Sequence, residues 1–158
     1  MASGHIACNE IYFTSGGSES NCFAIQGYCN HFLKEWNNPI VCTSQIEHKS
    51  IMECVKNYCD KSMNIESYFI DVDCNGYVDL EQLEDILKDE IEMTFRCKPF
   101  VSIQLANNEI GTIQPIKKIA EIVHKYGGIL HTDATQVVGH LPVDVSELDV
   151  DINNKNIC

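Results

Sequence analysis

Apolar positions along the chain switch between two spacings. Short apolar-rich segments at residues 40–43, 68–70, 100–105 and 128–132 predict strands, and residues 11–14 (Ile-Tyr-Phe-Thr) predict another near the start. Between them, apolar residues recur at helical spacing. Phe23, Ile25, Tyr28, Phe32 and Leu33 mark one helix, and Ile51, Met52, Val55 and Tyr58 a second over residues 49–59. Leu80, Leu83, Ile86, Leu87 and Ile91 mark a third, and Ile116, Ile119, Ala120 and Val123 a fourth. End signals agree. Asp79 followed by Gln82 three residues on has the form of a capping box, Pro115 suits the first turn of a helix, and Gly127 suits a helix end. Strands separated by helices of this length predict βαβ units. The apolar-rich character of the strands predicts that both faces of the sheet are covered. The predicted fold is therefore α/β, a mainly parallel sheet with helices on both faces.

Composition narrows the function classes. The chain has 158 residues, enough for one domain with a core, and its 44% hydrophobic and 22% charged residues are ordinary for a globular protein. No apolar run approaches the ~20 residues of a membrane span. The first residues, Met-Ala-Ser-Gly-His, lack a basic and then apolar signal segment. Net charge is −12, with 23 acidic residues against 11 basic ones, and Arg96 is the single arginine. Nucleic-acid backbones and anionic membranes need the opposite charge, so neither is expected as a partner. The nine cysteines are scattered without a C-x-x-C pair, which argues for free thiols in small apolar positions and a cytoplasmic location, and against zinc.

The candidate chemistry lies just after the predicted strands. Thr14-Ser15-Gly16-Gly17-Ser18-Glu19-Ser20 joins a strand to a helix start, where free backbone N–H groups and the helix dipole favour an anion. An ordinary turn capped by Ser18 explains the same residues. Ser20 stands where a nucleophile elbow needs glycine, which disfavours a serine hydrolase. His48, in Glu47-His48-Lys49, can stack on a flat ring or act as a base; structural histidines are commoner. Asn107-Asn108-Glu109-Ile110-Gly111 reads as a ligand loop or as a self-capped turn. His131-Thr132-Asp133-Ala134-Thr135-Gln136 places a carboxylate and an amide at a strand's C-terminal end, where α/β sheets bind ligands. Asp71-Val72-Asp73-Cys74-Asn75-Gly76-Tyr77-Val78-Asp79 imitates a calcium loop, but its twelfth position is Gln82 and a strand precedes it. A turn at Asn75-Gly76 leading to an Asp79-capped helix accounts for it without metal, and no metal site is expected. Parallel strands bring the other loops to one edge. An anion cradle, a ring stacker and a carboxylate there meet the needs of a phosphorylated heteroaromatic cofactor.

Taken together, Thr14 to Asn21, Glu47-His48-Lys49, Asn107 to Gly111 and His131 to Gln136 resemble the cysteine desulfurases of the class V aminotransferase group, in family order. The segment between His48 and Asn108 is a few residues longer than in the family. The resemblance implies the fold type I large domain and pyridoxal 5'-phosphate (PLP) as cofactor. Gly17 and Ser18 would hold the cofactor phosphate, with Ser18 where the family usually has Thr, and Glu19 beside them is a further cofactor-binding position. His48 would stack on the ring, Asn108 would contact the ring region, Asp133 would pair with the pyridinium nitrogen, and Gln136 would bond the phenolic oxygen. It also implies sulfur metabolism and a homodimer.

The departures shape the expected activity. The family's cofactor-anchoring lysine follows a Ser-x-His that would fall just past residue 158, and Lys155 lacks that motif. None of the nine cysteines matches the family's sulfur-accepting one. Residues 1–158 are thus expected to be a truncated, partial PLP-binding large domain without the small C-terminal domain, and inactive alone. Two alternatives stand beside this. One is half of a split desulfurase, completed by another chain and then acting on L-cysteine with a sulfur acceptor. The other is a non-catalytic interaction domain.

Overall fold

The computed structural model describes residues 11–34, 39–59, 65–94 and 98–154. Five helices and five strands follow in the order α1 (Gly17–Lys34), β1 (Ile40–Ser44), α2 (Lys49–Cys59), β2 (Glu66–Ile70), α3 (Leu80–Thr94), β3 (Phe100–Ser102), α4 (Ile116–Lys125), β4 (Ile129–Asp133), α5 (Val145–Leu148) and β5 (Ile152–Asn154). Every strand pairing is parallel, in the order β2-β1-β3-β4-β5. The chain steps outward from β1 to β2, then crosses back past β1 to β3 and continues the other way. Right-handed crossovers place α2 on one face and α3, α4 and α5 on the other. The packing agrees: α1 lies against α2, while α4 contacts both α3 and α5. The reversal between β1 and β3 opens a crevice at their C-terminal ends, where α/β folds hold ligands.

The core forms where the strand and helix patterns meet. Ile40, Val41, Phe100, Val101 and Leu130 from the strands pack with Ile25, Ile51, Val55, Leu83 and Leu87 from the helices, all fully buried or nearly so. Each such side chain contributes ~1.5–3 kcal/mol by leaving water. The expected stripe of α4 is the buried one: Ile116, Ile119, Ala120 and Val123. Gly127 ends that helix in the left-handed region, φ 69°, with its N–H on His124 O at 3.0 Å and the next N–H on Val123 O at 2.9 Å. Asp79 caps α3, taking the N–H groups of Glu81 and Gln82, both at 3.0 Å. Gln82 does not complete the box. Its side chain holds Asp71 instead, through N–H···Oε1 at 2.7 Å.

Several expectations are corrected. Residues 11–14 form no strand; Tyr12 and Phe13 are 74% and 92% exposed. Their β-favouring side chains lack a ladder partner, because the sheet edges are β2 and β5 and the segment joins neither. Phe23 is exposed beside Tyr12 rather than buried in α1. On α2 the buried face turns toward Cys54 and Cys59, leaving Met52 and Tyr58 half-buried. Pro115 sits at the cap position, one residue before α4. The polar stretch 153–156 reads as a tail, yet Asn153 and Asn154 belong to β5. Lys155, Arg96, Cys8, Cys97 and Cys158 lie outside the described residues. Among the described cysteines, Cys29, Cys42, Cys54 and Cys59 are buried.

Candidate active site

A cleft of about 210 Å³ opens at the C-terminal ends of β1, β3 and β4, lined by Gly17, Ser18, Asn21, His48, Gln104, Ala106, Asn108, Asp133, Thr135 and Gln136. It gathers Gly17, Ser18, His48, Asn108, Asp133 and Gln136 from four separate loops. Glu19 stands outside it. Its carboxylate turns back to accept the Ser15 N–H at 2.6 Å, and that bond holds its pKa below the ordinary value.

Asp133 ends β4 with 9% exposure. Its Oδ1 accepts the Thr135 N–H at 2.9 Å and its Oδ2 accepts Asn21 Nδ2 at 2.8 Å. These contacts orient a carboxylate at the cleft wall. His48, also lining the cleft, is exposed, with its Nδ1 2.7 Å from Ser50 Oγ. Asn107 caps its own loop, its Oδ1 accepting the N–H groups of Glu109 and Ile110 at 2.8 and 3.0 Å, which leaves Asn108 as the residue facing the cleft.

Two buried titratable groups lie beneath this floor. Glu47 accepts the Ser44 hydroxyl at 2.6 Å and the Gln104 N–H through both carboxylate oxygens at 3.0 Å. Burial outweighs those bonds and, with Asp133 nearby, pushes its pKa up to about 8. His131 is fully buried, stacked on Phe100, with Nδ1 2.8 Å from Ser102 Oγ. Burial drives its pKa down to about 4 against the pull of Asp133. His131 is therefore a neutral core histidine.

The residues present fit a phosphorylated ring. Thr135 Oγ1 is buried without a hydrogen-bond partner, and such a hydroxyl is costly unless a ligand completes it. A Cβ on Gly17 would lie 3.2 Å from that oxygen. The bare glycine thus brings the first turn of α1, with its free N–H groups, against an unsatisfied donor. The Asp133 carboxylate lines the same cleft, bonded to the Thr135 N–H and to Asn21 of α1. Thr135 had no role in the sequence reading, although it lies inside the motif; Asn21, Ser50, Gln104 and Asn154 were missed because their partners are distant in sequence.

The calcium-like loop uses its acids internally. Asp73 Oδ1 accepts the N–H groups of Asn75 and Tyr77 at 2.9 and 2.8 Å, and Asp71 is held by Gln45 and Gln82. Among the described residues, no group of three or more His, Cys, Asp or Glu has metal-holding geometry. Among them, too, no helix is long and apolar enough to cross a membrane.

Relatives share this architecture. The chain is 40% identical over 144 residues to the cysteine desulfurase IscS of Dictyoglomus turgidum, covering 91% of this chain and 34% of that protein. It is 36% identical over 143 residues to a mitochondrial cysteine desulfurase of Eremothecium gossypii, covering 90% and 27%. A solved NifS-like protein superposes with a TM-score of 0.79 at 33% identity over 91% of this chain and 37% of its own. The chain spans about a third of the length of the relatives it matches. The aminotransferase class-V family model matches residues 5–154, the sheet, its helices and the whole cleft. PLP is the cofactor of that family, and the chain belongs to it: this is part of an aminotransferase class-V fold, similar in sequence to cysteine desulfurases.

Proposed function

We propose that this segment is the PLP-holding part of a large domain, and that the protein built on it removes sulfur from L-cysteine. The observation that supports this is the convergence on one cleft of the α1 N-terminus, His48 and the Asp133 carboxylate. Gly17, Ser18 and the Thr135 hydroxyl would take the phosphate, His48 the ring face, Gln136 the phenolic oxygen and Asn108 the ring region. Asp133 would accept the ring N–H and so keep that nitrogen protonated. The cofactor, when bound, supplies an electron sink for charge developing at the substrate's α-carbon. No lysine lines the cleft among the described residues, so the covalent anchor, the acceptor thiol and the substrate contacts are assigned to residues beyond them, in the same protein or in a second chain.

The test is sulfide release from L-cysteine in the presence of PLP and a thiol reductant. The full-length protein, or the chain combined with a partner supplying the lysine, should release sulfide and lose this activity in Asp133→Ala. Equal release by wild type and Asp133→Ala would contradict the proposal.

A further inference from the structure

Asn21 projects from α1 at 1% exposure and lines the cleft beside Asp133 and His48. Its Nδ2 donates to Asp133 Oδ2 at 2.8 Å and to Ser50 Oγ at 3.0 Å, while its Oδ1 accepts from Asn154 Nδ2. A carboxylate is an acceptor, so Asp133 dictates which end of the Asn21 amide faces it. Ser50 Oγ then receives a hydrogen from Asn21 and directs its own toward His48 Nδ1, 2.7 Å away. The other end of the chain of bonds gives the same answer. The Ser50 backbone N–H, which can only donate, points at the same Nδ1 at 3.2 Å. Both ends make Nδ1 an acceptor and leave the proton of the neutral ring on Nε2.

We propose that Asn21 and Ser50 are positioning residues: through them one buried amide holds His48 in its Nε2–H form and Asp133 in place in the same cleft. The assignment to PLP rests on the function proposed above; the hydrogen-bond path itself does not. A substitution at Asn21 therefore reaches His48 without touching it. Ser50 transmits the effect, so removing Ser50 makes His48 insensitive to Asn21.

Long-range proton–nitrogen NMR of the full chain with 15N-labelled histidine tests this, with His48 assigned by its loss in His48→Gln. The wild type should show Nε2 protonated and Nδ1 unprotonated, its resonance displaced by the accepted bonds. Ser50→Ala should move the Nδ1 resonance toward that of a solvated imidazole and lower the Nε2–H population. Asn21→Ala should move it in the same direction, and should add nothing in the Ser50→Ala background. If Asn21→Ala fails to fold, Ser50→Ala decides alone: an Nδ1 resonance that it leaves unmoved would overturn the proposal. A protonated Nδ1 in the wild type, or Asn21 effects that persist without Ser50, would overturn the proposal. PLP titration of the same samples separates the two ideas. A correct His48 pattern without PLP binding contradicts the cofactor reading alone; PLP binding with His48 indifferent to Asn21 contradicts this inference alone.

Discussion

Glu47 binds the Gln104 backbone N–H through both carboxylate oxygens, at 3.0 Å each, across the crevice where the chain reverses between β1 and β3. The contact ties the loop carrying His48 to the loop carrying Asn108. It also places a buried acid, with a pKa of about 8, below the cleft.

Stability should therefore decline with rising pH in the mildly alkaline range. Between 4.5 and about 8 the folded chain holds the Glu47 proton that the unfolded chain has lost, so stability falls as pH rises through that window. His131 has the opposite sign, adding stability as pH rises from about 4 to 6.5. The two oppose each other below pH 6.5. Above it Glu47 dominates, with a limiting slope of about 1.4 kcal/mol per pH unit. His124, raised by Asp151, adds a small exposed contribution of the same sign. Urea unfolding at pH 6.5 and 8 should show wild-type stability falling, and Glu47→Gln should remove most of that fall.

Thr135→Val should separate stability from ligand affinity. Removing a buried hydroxyl that lacks a partner should leave the unliganded chain as stable as before, or stabilise it by up to ~1 kcal/mol. The same change should weaken PLP about fivefold, the value of one lost hydrogen bond of about 1 kcal/mol. Thermal unfolding and PLP titration of the same variant check both signs.

Asn154→Ala should cost about 1–3 kcal/mol. It strands Asn21 Oδ1 in a buried site and removes the acceptor of the Ser20 hydroxyl, 2.7 Å away. Urea denaturation measures the loss. Substitution of exposed Gln26 on the same helix should change stability by less than about 0.5 kcal/mol.

The parts of this fold that were legible in the sequence are those whose signal is local. β1, β3 and β4 are buried on both faces, so Ile40, Val101 and Leu130 sit in apolar-rich segments. α4 carries its stripe at helical spacing, and Asp133 is conspicuous as an acid ending an apolar strand. β5 had no such signal. Asn153 and Asn154 are polar, and they pair because Thr132 and Asp133 of β4 lie alongside. Residues 11–14 show the converse, with β-favouring side chains and no partner strand. In the site, Gly17, His48 and Asp133 were visible because each follows a strand or turn signal. Asn21, Ser50 and Glu47 act through residues 29 to 112 positions away, and pairing at that distance leaves no trace in a single sequence.

The central claim is that the cleft holds PLP with Asp133 on its ring nitrogen. Equilibrium titration of PLP into wild-type and Asp133→Ala protein, followed by cofactor absorbance, tests it most directly. A charge-assisted hydrogen bond of about 1.5–3 kcal/mol predicts saturable wild-type binding and a roughly 10- to 100-fold weaker Asp133→Ala variant that remains folded. Equal affinity in the two proteins, or no saturable binding to either, would contradict the account.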